Sequence, residues 1–183
     1  MKQVQTDNAF FEEKVLLRLE SLPDKPLIKV LDCFSGNGLL WTEVKKRSGK
    51  KIMVLRMDEK TDRTGIYLKG NNTKYLSGID LLNFDIIDLD AYGSPFKQLE
   101  IIIKRRYSGI VHVTFIQTMM GALNKNMLLQ LGYTDGMIKK VPSLFNKNGL
   151  IKILEWLHLK GNVDKVRIFT EGRKNYFWFY LVN

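Results

Sequence analysis

The last two apolar runs of this chain, Val163 to Thr170 and Tyr176 to Val182, are joined by only five residues, Glu171-Gly172-Arg173-Lys174-Asn175. No crossover helix fits in that space, so the two runs must pair as an antiparallel hairpin. Tyr176-Phe177-Trp178-Phe179-Tyr180-Leu181-Val182 is apolar on both faces and belongs inside a sheet. Its partner alternates Lys165 and Arg167 with Val166 and Ile168, as a half-exposed edge strand does.

Everything upstream of the hairpin has the opposite grammar, strands alternating with helices. Residues 7–21 read as a helix with Asp7 as N-cap, Glu12 and Glu13 in its first turn, and Phe11, Val15, Leu19 and Leu22 on one face. Leu22-Pro23-Asp24-Lys25-Pro26 stops it. Strands are expected at 27–32, 52–58, 66–69, 84–90 and 110–116, and helices at 39–47, 95–106 (proline in its first turn) and 143–159. Such alternation specifies a mainly parallel sheet covered on both faces. With the hairpin added, the expected fold is α/β: three layers, Rossmann-like, around a mostly parallel seven-stranded sheet. The 183 residues are 45% apolar and carry no repeat or low-complexity tract, which suits one domain over 1–183.

Composition narrows the function. Basic residues outnumber acidic ones 29 to 19, a net charge of +10, so a polyanionic partner such as nucleic acid is expected. Cys33 is the single cysteine, which excludes an intrachain disulfide framework and a thiolate-held iron–sulfur cluster. It reads as packing. His112 and His158 are the only histidines, so no zinc site is expected. The N-terminus lacks the apolar core of a signal peptide, and no apolar run approaches a membrane span, so a cytoplasmic protein without a membrane partner is expected.

Two strand ends carry chemistry. After the first strand comes Asp32-Cys33-Phe34-Ser35-Gly36-Asn37-Gly38. The dinucleotide fingerprint would need a third glycine where Trp41 stands, and no P-loop motif occurs. What remains is a turn whose backbone approaches a ligand, beside an acid suited to a positive or hydrogen-donating group. Twenty residues past Gly38, Asp58 ends the second strand, where a carboxylate can accept both hydroxyls of a ribose. A ligand with a ribose, a cationic portion and no pyrophosphate fits both ends, and S-adenosylmethionine is such a ligand. Motifs and topology together resemble the class I S-adenosylmethionine-dependent methyltransferases over nearly the whole chain. That resemblance implies Asp32, Phe34, Gly36 and Gly38 on the methionine side, Asp58 on the ribose, and Asn71 or Asn72 near the adenine.

The second strand end is Phe84-Asp85-Ile86-Ile87-Asp88-Leu89-Asp90-Ala91-Tyr92-Gly93-Ser94-Pro95. It resembles the Asp-Pro-Phe/Tyr-Gly-Ser-Pro segment of the tRNA guanine-N2 dimethyltransferases over about a dozen residues, with Ala91 in place of the proline. The resemblance implies methylation of an exocyclic base amine. Asp90 would accept the amine hydrogens, Tyr92 would clamp the base by stacking, and Gly93, Ser94 and Pro95 would line the acceptor. Guanine offers two adjacent donors, N1–H and the 2-amino group, that one ionised carboxylate can take together. The additional C-terminal domain usual in that family is not among these 183 residues, so substrate grip is expected to come from this domain or a partner subunit. Of the basic clusters, Lys139 and Lys140, on a loop after the fifth strand, are the expected phosphate contacts; Lys45 to Arg47, Lys50-Lys51 and Lys104 to Arg106 are explained by helix ends. Met119 and Met120 read as gap fillers.

The leading expectation is an RNA methyltransferase acting on guanine-N2 of tRNA. The alternatives are a DNA amino-methyltransferase and a catalytically silent nucleic-acid-binding partner subunit.

Overall fold

The computed structural model describes residues 10–116, 124–140, 145–172 and 174–182. Its elements are α1 (Phe11–Ser21), β1 (Ile28–Asp32), α2 (Leu39–Ser48), β2 (Ile52–Asp58), β3 (Leu68–Lys69), α3 (Asn72–Gly78), β4 (Ile86–Asp90), α4 (Phe96–Lys104), β5 (Gly109–Ile116), α5 (Lys125–Gln130), α6 (Asp135–Lys140), α7 (Phe145–Lys160), β6 (Val163–Glu171) and β7 (Lys174–Leu181). The strands form one sheet in the order β3-β2-β1-β4-β5-β7-β6. The first five run parallel; β7 pairs antiparallel with both β5 and β6. The hairpin therefore closes the sheet as its short connection requires, with β7 inside and β6 at the edge.

A β-bulge between Asp164 and Val166 changes the expected alternation of β6. Lys165 takes φ 29° and drops out of the ladder, so Val163, Val166 and Ile168 oppose Leu181, Phe179 and Phe177. The lysine predicted on a regular face is the extra residue of the bulge, a device that blunts an open edge.

Each strand sorts its side chains between two layers. Leu31, Ile87, Leu89, Val111, Val113, Phe177 and Phe179 pack with Leu76 of α3, Leu99 and Ile102 of α4, and Ile153, Trp156 and Leu157 of α7. Ile28, Val30, Ile86 and Ile110 face the other way, onto Val15 of α1 and Trp41 and Val44 of α2. Helix α1 begins at Phe11, and Phe10 occupies the capping position in a left-handed conformation; the Asp7 cap lies outside the described residues. Pro95 sits at the N-cap position of α4 rather than in its first turn, and that helix ends at Lys104. Helices α3, α5 and α6 were not expected. Each is six or seven residues long, too short for a periodic pattern to register. Among the described residues, no helix is long and apolar enough to cross a membrane.

Polar residues occupy the α1 face at the carboxyl end of the sheet. Asp32 is in register with Asp88, Asp88 with His112, and His112 with Trp178; one step further along the strands, Asp90 is in register with Thr114 and Thr114 with Tyr176. Helix α1 lies over these rows. Four residues of helix advance about 6 Å and two of strand about 6.6 Å, so side chains at i and i+4 can meet successive rows. Arg18 forks onto Asp88 with two bonds of 2.7 Å, and Lys14, one turn earlier, meets Asp90 at 2.8 Å. A turn later Ser21 Oγ lies 2.7 Å from His112 Nε2. Trp41 Nε1 donates to the same Asp88 at 2.7 Å, filling the space where a dinucleotide-binding turn would need a glycine.

Arg18 and Asp88 are 2% and 0% exposed, so breaking the pair strands a buried carboxylate. Arg18→Met is expected to cost about 3–5 kcal/mol in urea unfolding. Arg18→Met combined with Asp88→Asn should cost less than the single change, because the stranded charge is gone.

Candidate functional site

The turn after β1 is built by residues from three other segments. Gly36 takes φ 51° and Gly38 φ 75°, the left-handed region that glycine adopts without strain. The Gly36 N–H donates to Asp58 Oδ2 at 2.9 Å, while its carbonyl accepts from an Arg56 terminal nitrogen at 2.8 Å. Arg56 also donates to the Thr64 carbonyl at 2.8 Å, tying the stretch between β2 and β3 to the turn. Beneath, the buried Asn72 donates to the Cys33 carbonyl at 3.0 Å and accepts from Gln98 at 2.8 Å.

The two glycines do different work. A Cβ on Gly38 would lie 2.8 Å from the Arg56 guanidinium, so Gly38 makes room for protein. A Cβ on Gly36 would meet nothing within 4 Å, so Gly36 borders open space. Phe34 packs partly buried against the larger core cluster.

Asp32 ends β1, where the turn begins; it is 4% exposed, and among the described residues its hydrogen bond is a long 3.4 Å contact from the Phe34 N–H. Burial, then the neighbouring Asp88 and Asp90, push its carboxyl well above the usual range. Among the described residues, three carboxylates (Asp32, Asp88, Asp90) thus share two cations (Lys14, Arg18), and Asp32 is the one without an ion pair of its own. Burial also raises the Cys33 thiol well above its ordinary value, so the cysteine is inert packing.

Asp58 stands where its sequence position places it, at the end of β2, with both oxygens engaged. Oδ2 receives Gly36 N–H and faces Arg63 Nε at 3.3 Å; Oδ1 receives the Lys60 N–H at 2.9 Å. Asn71 spends its side-chain oxygen on capping α3, accepting from Thr73 N at 2.9 Å. Of the two asparagines, Asn72 is the one that reaches the turn.

Asp90 closes β4, one strand over. Lys14 Nζ lies 2.8 Å from Oδ1 and 2.9 Å from Oδ2, and Thr114 Oγ1 donates to Oδ1 at 2.5 Å. Burial works against the charged form, but Lys14 and Arg18 and the bonds from Lys14 and Thr114 outweigh it, holding Asp90 below the ordinary carboxylate value. Tyr92, two residues on, is 80% exposed and presents a free ring face. Gly93 takes φ 124°, and its carbonyl receives the Ile116 N–H at 2.8 Å, pinning the loop to the end of β5. Ser94 Oγ contacts the Met127 sulfur at 3.7 Å, and Pro95 starts α4.

Lys139 and Lys140 are exposed but lie in the last turn of α6, not on a loop. Their position at a helix C-terminus is thus the same as that of Lys45 to Arg47 in α2. Met119 and Met120 lie outside the described residues. Lys14 and Arg18 are the residues that sequence reasoning missed. The available signal was a pair of basic residues at i, i+4 next to the apolar face of the first helix.

No family model matches the chain, and no curated protein matches it. Solved structures do. A Listeria monocytogenes protein assigned as a class I S-adenosylmethionine-dependent methyltransferase superposes with a TM-score of 0.59 at 12% identity, over 100% of this chain and 63% of that one. An S-adenosylmethionine-dependent methyltransferase from Archaeoglobus fulgidus gives 0.56 at 15% identity, over 96% and 95%. Precorrin-6y C5,15-methyltransferase from Geobacter metallireducens gives 0.56 at 11% identity, over 98% and 91%. The chain thus spans a little under two thirds of the Listeria protein and nearly the full length of the other two. At these identities the likeness establishes the fold: a Rossmann-like methyltransferase architecture with its terminal antiparallel strands.

The two glycines should separate on substitution. Gly38→Ala adds a collision with Arg56 to left-handed strain of about 1–2 kcal/mol, so its loss in thermal and urea unfolding should exceed that of Gly36→Ala, which carries the strain alone. Asp32→Asn should stabilise the protein. A carboxyl whose folded value is raised favours folding fully only below its unfolded value, near 3.9, and that contribution is lost as pH rises through the folded value. The variant should therefore gain on the parent in urea unfolding as pH climbs from about 4 toward neutrality, and equal unfolding midpoints across that range would refute the raised Asp32 value.

Proposed function

We propose that this chain is an S-adenosylmethionine-dependent methyltransferase acting on an exocyclic base amine of RNA, with guanine-N2 of tRNA as the leading target. The observation that carries the reading is the end of β4. There an ionised Asp90 and an exposed Tyr92 stand two residues apart, one strand from the glycine turn.

The residues around the turn fit the cofactor. Asp32 lacks a cationic partner and would meet its positively charged amino-acid end. Gly36 borders open space that a ligand could use, and Phe34 stands half-buried in the same turn. An ionised carboxylate has about four lone-pair positions, so Asp58 can still receive a ribose hydroxyl beside the Gly36 and Lys60 N–H groups. Bound there, S-adenosylmethionine supplies an electrophilic methyl on a positively charged sulfur.

The chain's own part is to present the acceptor. A base amine is a weak nucleophile because its lone pair is delocalised into the ring. Asp90, kept ionised by Lys14, accepts an amine hydrogen and turns the lone pair toward the reacting carbon. Tyr92 stacks on the base, worth about 1–3 kcal/mol. Lys14 and Thr114 together occupy about three of the four lone-pair positions of Asp90, so one remains. The two guanine donors therefore cannot both fall on this carboxylate. The guanine preference rests on the resemblance of residues 84–95. The net charge of +10 supports an RNA partner and a steep loss of binding with salt.

Label from methyl-labelled cofactor is expected in bulk tRNA. Asp90→Ala should lower the rate by on the order of 100-fold or more while the cofactor still raises the thermal midpoint. That thermal shift should weaken as pH falls, because Asp32 must give up its proton to hold a cation. Label in duplex DNA but not tRNA would favour DNA amino-methylation. Cofactor binding without transfer to any nucleic acid would favour a silent binding subunit.

A further inference from the structure

Lys14 is the cation that α1 brings into contact with Asp90 at the end of β4, and its side chain is 13% exposed, against 19% for Asp90. An ammonium has three N–H donors. Nζ lies 2.8 and 2.9 Å from the two oxygens of Asp90, so at most two N–H groups are spent there and at least one is left. The Tyr176 ring lies 5.4 Å from Nζ on one side, with Phe10 and Phe169 packed about 6 Å beyond it in an aromatic cluster. Among the described residues, the strand end therefore displays at least one unspent donor beside one unspent acceptor, backed by a low-dielectric wall.

Every exocyclic amine of a nucleobase is attached to a carbon doubly bonded to a ring nitrogen: N6 and N1 in adenine, N4 and N3 in cytosine, N2 and N3 in guanine. Each such edge is a donor adjacent to an acceptor. On the reading above, that the acceptor is a base amine, we propose that Lys14 is a substrate-contacting residue. Its free N–H donates to the ring nitrogen while Asp90 accepts from the neighbouring amine. Two contacts fix the edge in its plane, which a single carboxylate contact leaves free to rotate. Uracil lacks the amine and is rejected for want of it. The pair thus selects amine-bearing bases as a class, and discrimination among them falls to other parts of the chain.

The test begins by identifying which base of bulk tRNA the wild-type protein labels, by nucleoside digestion. A synthetic oligonucleotide carrying that base is then compared with one in which the ring nitrogen beside the amine is replaced by C–H, as in 3-deazaguanine or 1-deazaadenine. For wild type, the deaza substitution should lower kcat/KM on the order of 10–100-fold, the range for a charge-assisted hydrogen bond. Lys14→Met should lower it on both oligonucleotides, because Lys14 also keeps Asp90 ionised, but by on the order of 10-fold more on the natural one than on the deaza one, where the ring-nitrogen contact is already gone. Lys14→Arg, which keeps a donor, should recover most of the activity. Cofactor affinity should stay within about two-fold in both variants, showing a folded site. Losses from Lys14→Met of equal size on both oligonucleotides, or none on either, would overturn the role of Lys14 while leaving the base-amine reading intact. No label in any nucleic acid with wild type would overturn the base-amine reading, and this inference with it.

Discussion

The carboxyl end of this sheet depends on α1 lying across it in register. Three side chains at helical spacing, Lys14, Arg18 and Ser21, drop onto Asp90, Asp88 and His112 in turn. Apolar packing of Val15 beneath α1 supplies the adhesion, but it would tolerate sliding; the polar contacts do not. A shift by one residue would bring an apolar side chain over Asp88 and leave a fully buried carboxylate unpaired. The helix is in this way a fixed component of the site, although its sequence lies some seventy residues from the strand it serves.

The glycine turn shows the same economy. Its backbone is held by Asp58 from one side, Arg56 from another and Asn72 from below, so the turn is set before any ligand arrives. Arg56 occupies the volume a side chain on Gly38 would need, and also reaches Thr64 in the stretch between β2 and β3. That nine-residue connection carries no helix, and the Arg56 guanidinium, together with the Arg63–Asp58 ion pair, fastens it to the sheet. A motif conventionally read as glycine for ligand access is here half glycine for protein packing.

How far the sequence reached depends on whether the deciding contact was local. The hairpin was legible because five residues cannot span a crossover, and β2 was found to the residue because Ile52 to Asp58 is bounded by lysines and a turn. The positions of Asp32, Asp58, Asp90 and Tyr92 followed from strand ends, a local property. Lys14 and Arg18 were invisible as site residues because their partners lie 76 and 70 positions away, and no one-dimensional spacing records that. The bulge at Lys165 likewise needs the register with β7, and the short helices α3, α5 and α6 fall below the length at which period can be read. Lys139 and Lys140 looked like loop residues for that last reason, and the six-residue helix beneath them changes their meaning.

The charges at the sheet's end do not balance, and the imbalance is informative. Among the described residues, Asp90 has Lys14 and Asp88 has Arg18, each at contact distance, while Asp32 has only a long backbone contact. A buried carboxylate without a partner costs stability, and an apolar residue of similar size would pack in its place at no such cost. The unmet requirement is one positive charge, and in the function proposed above the cationic end of the cofactor would meet it. The energy withheld from folding would then be released on binding, where it adds to affinity.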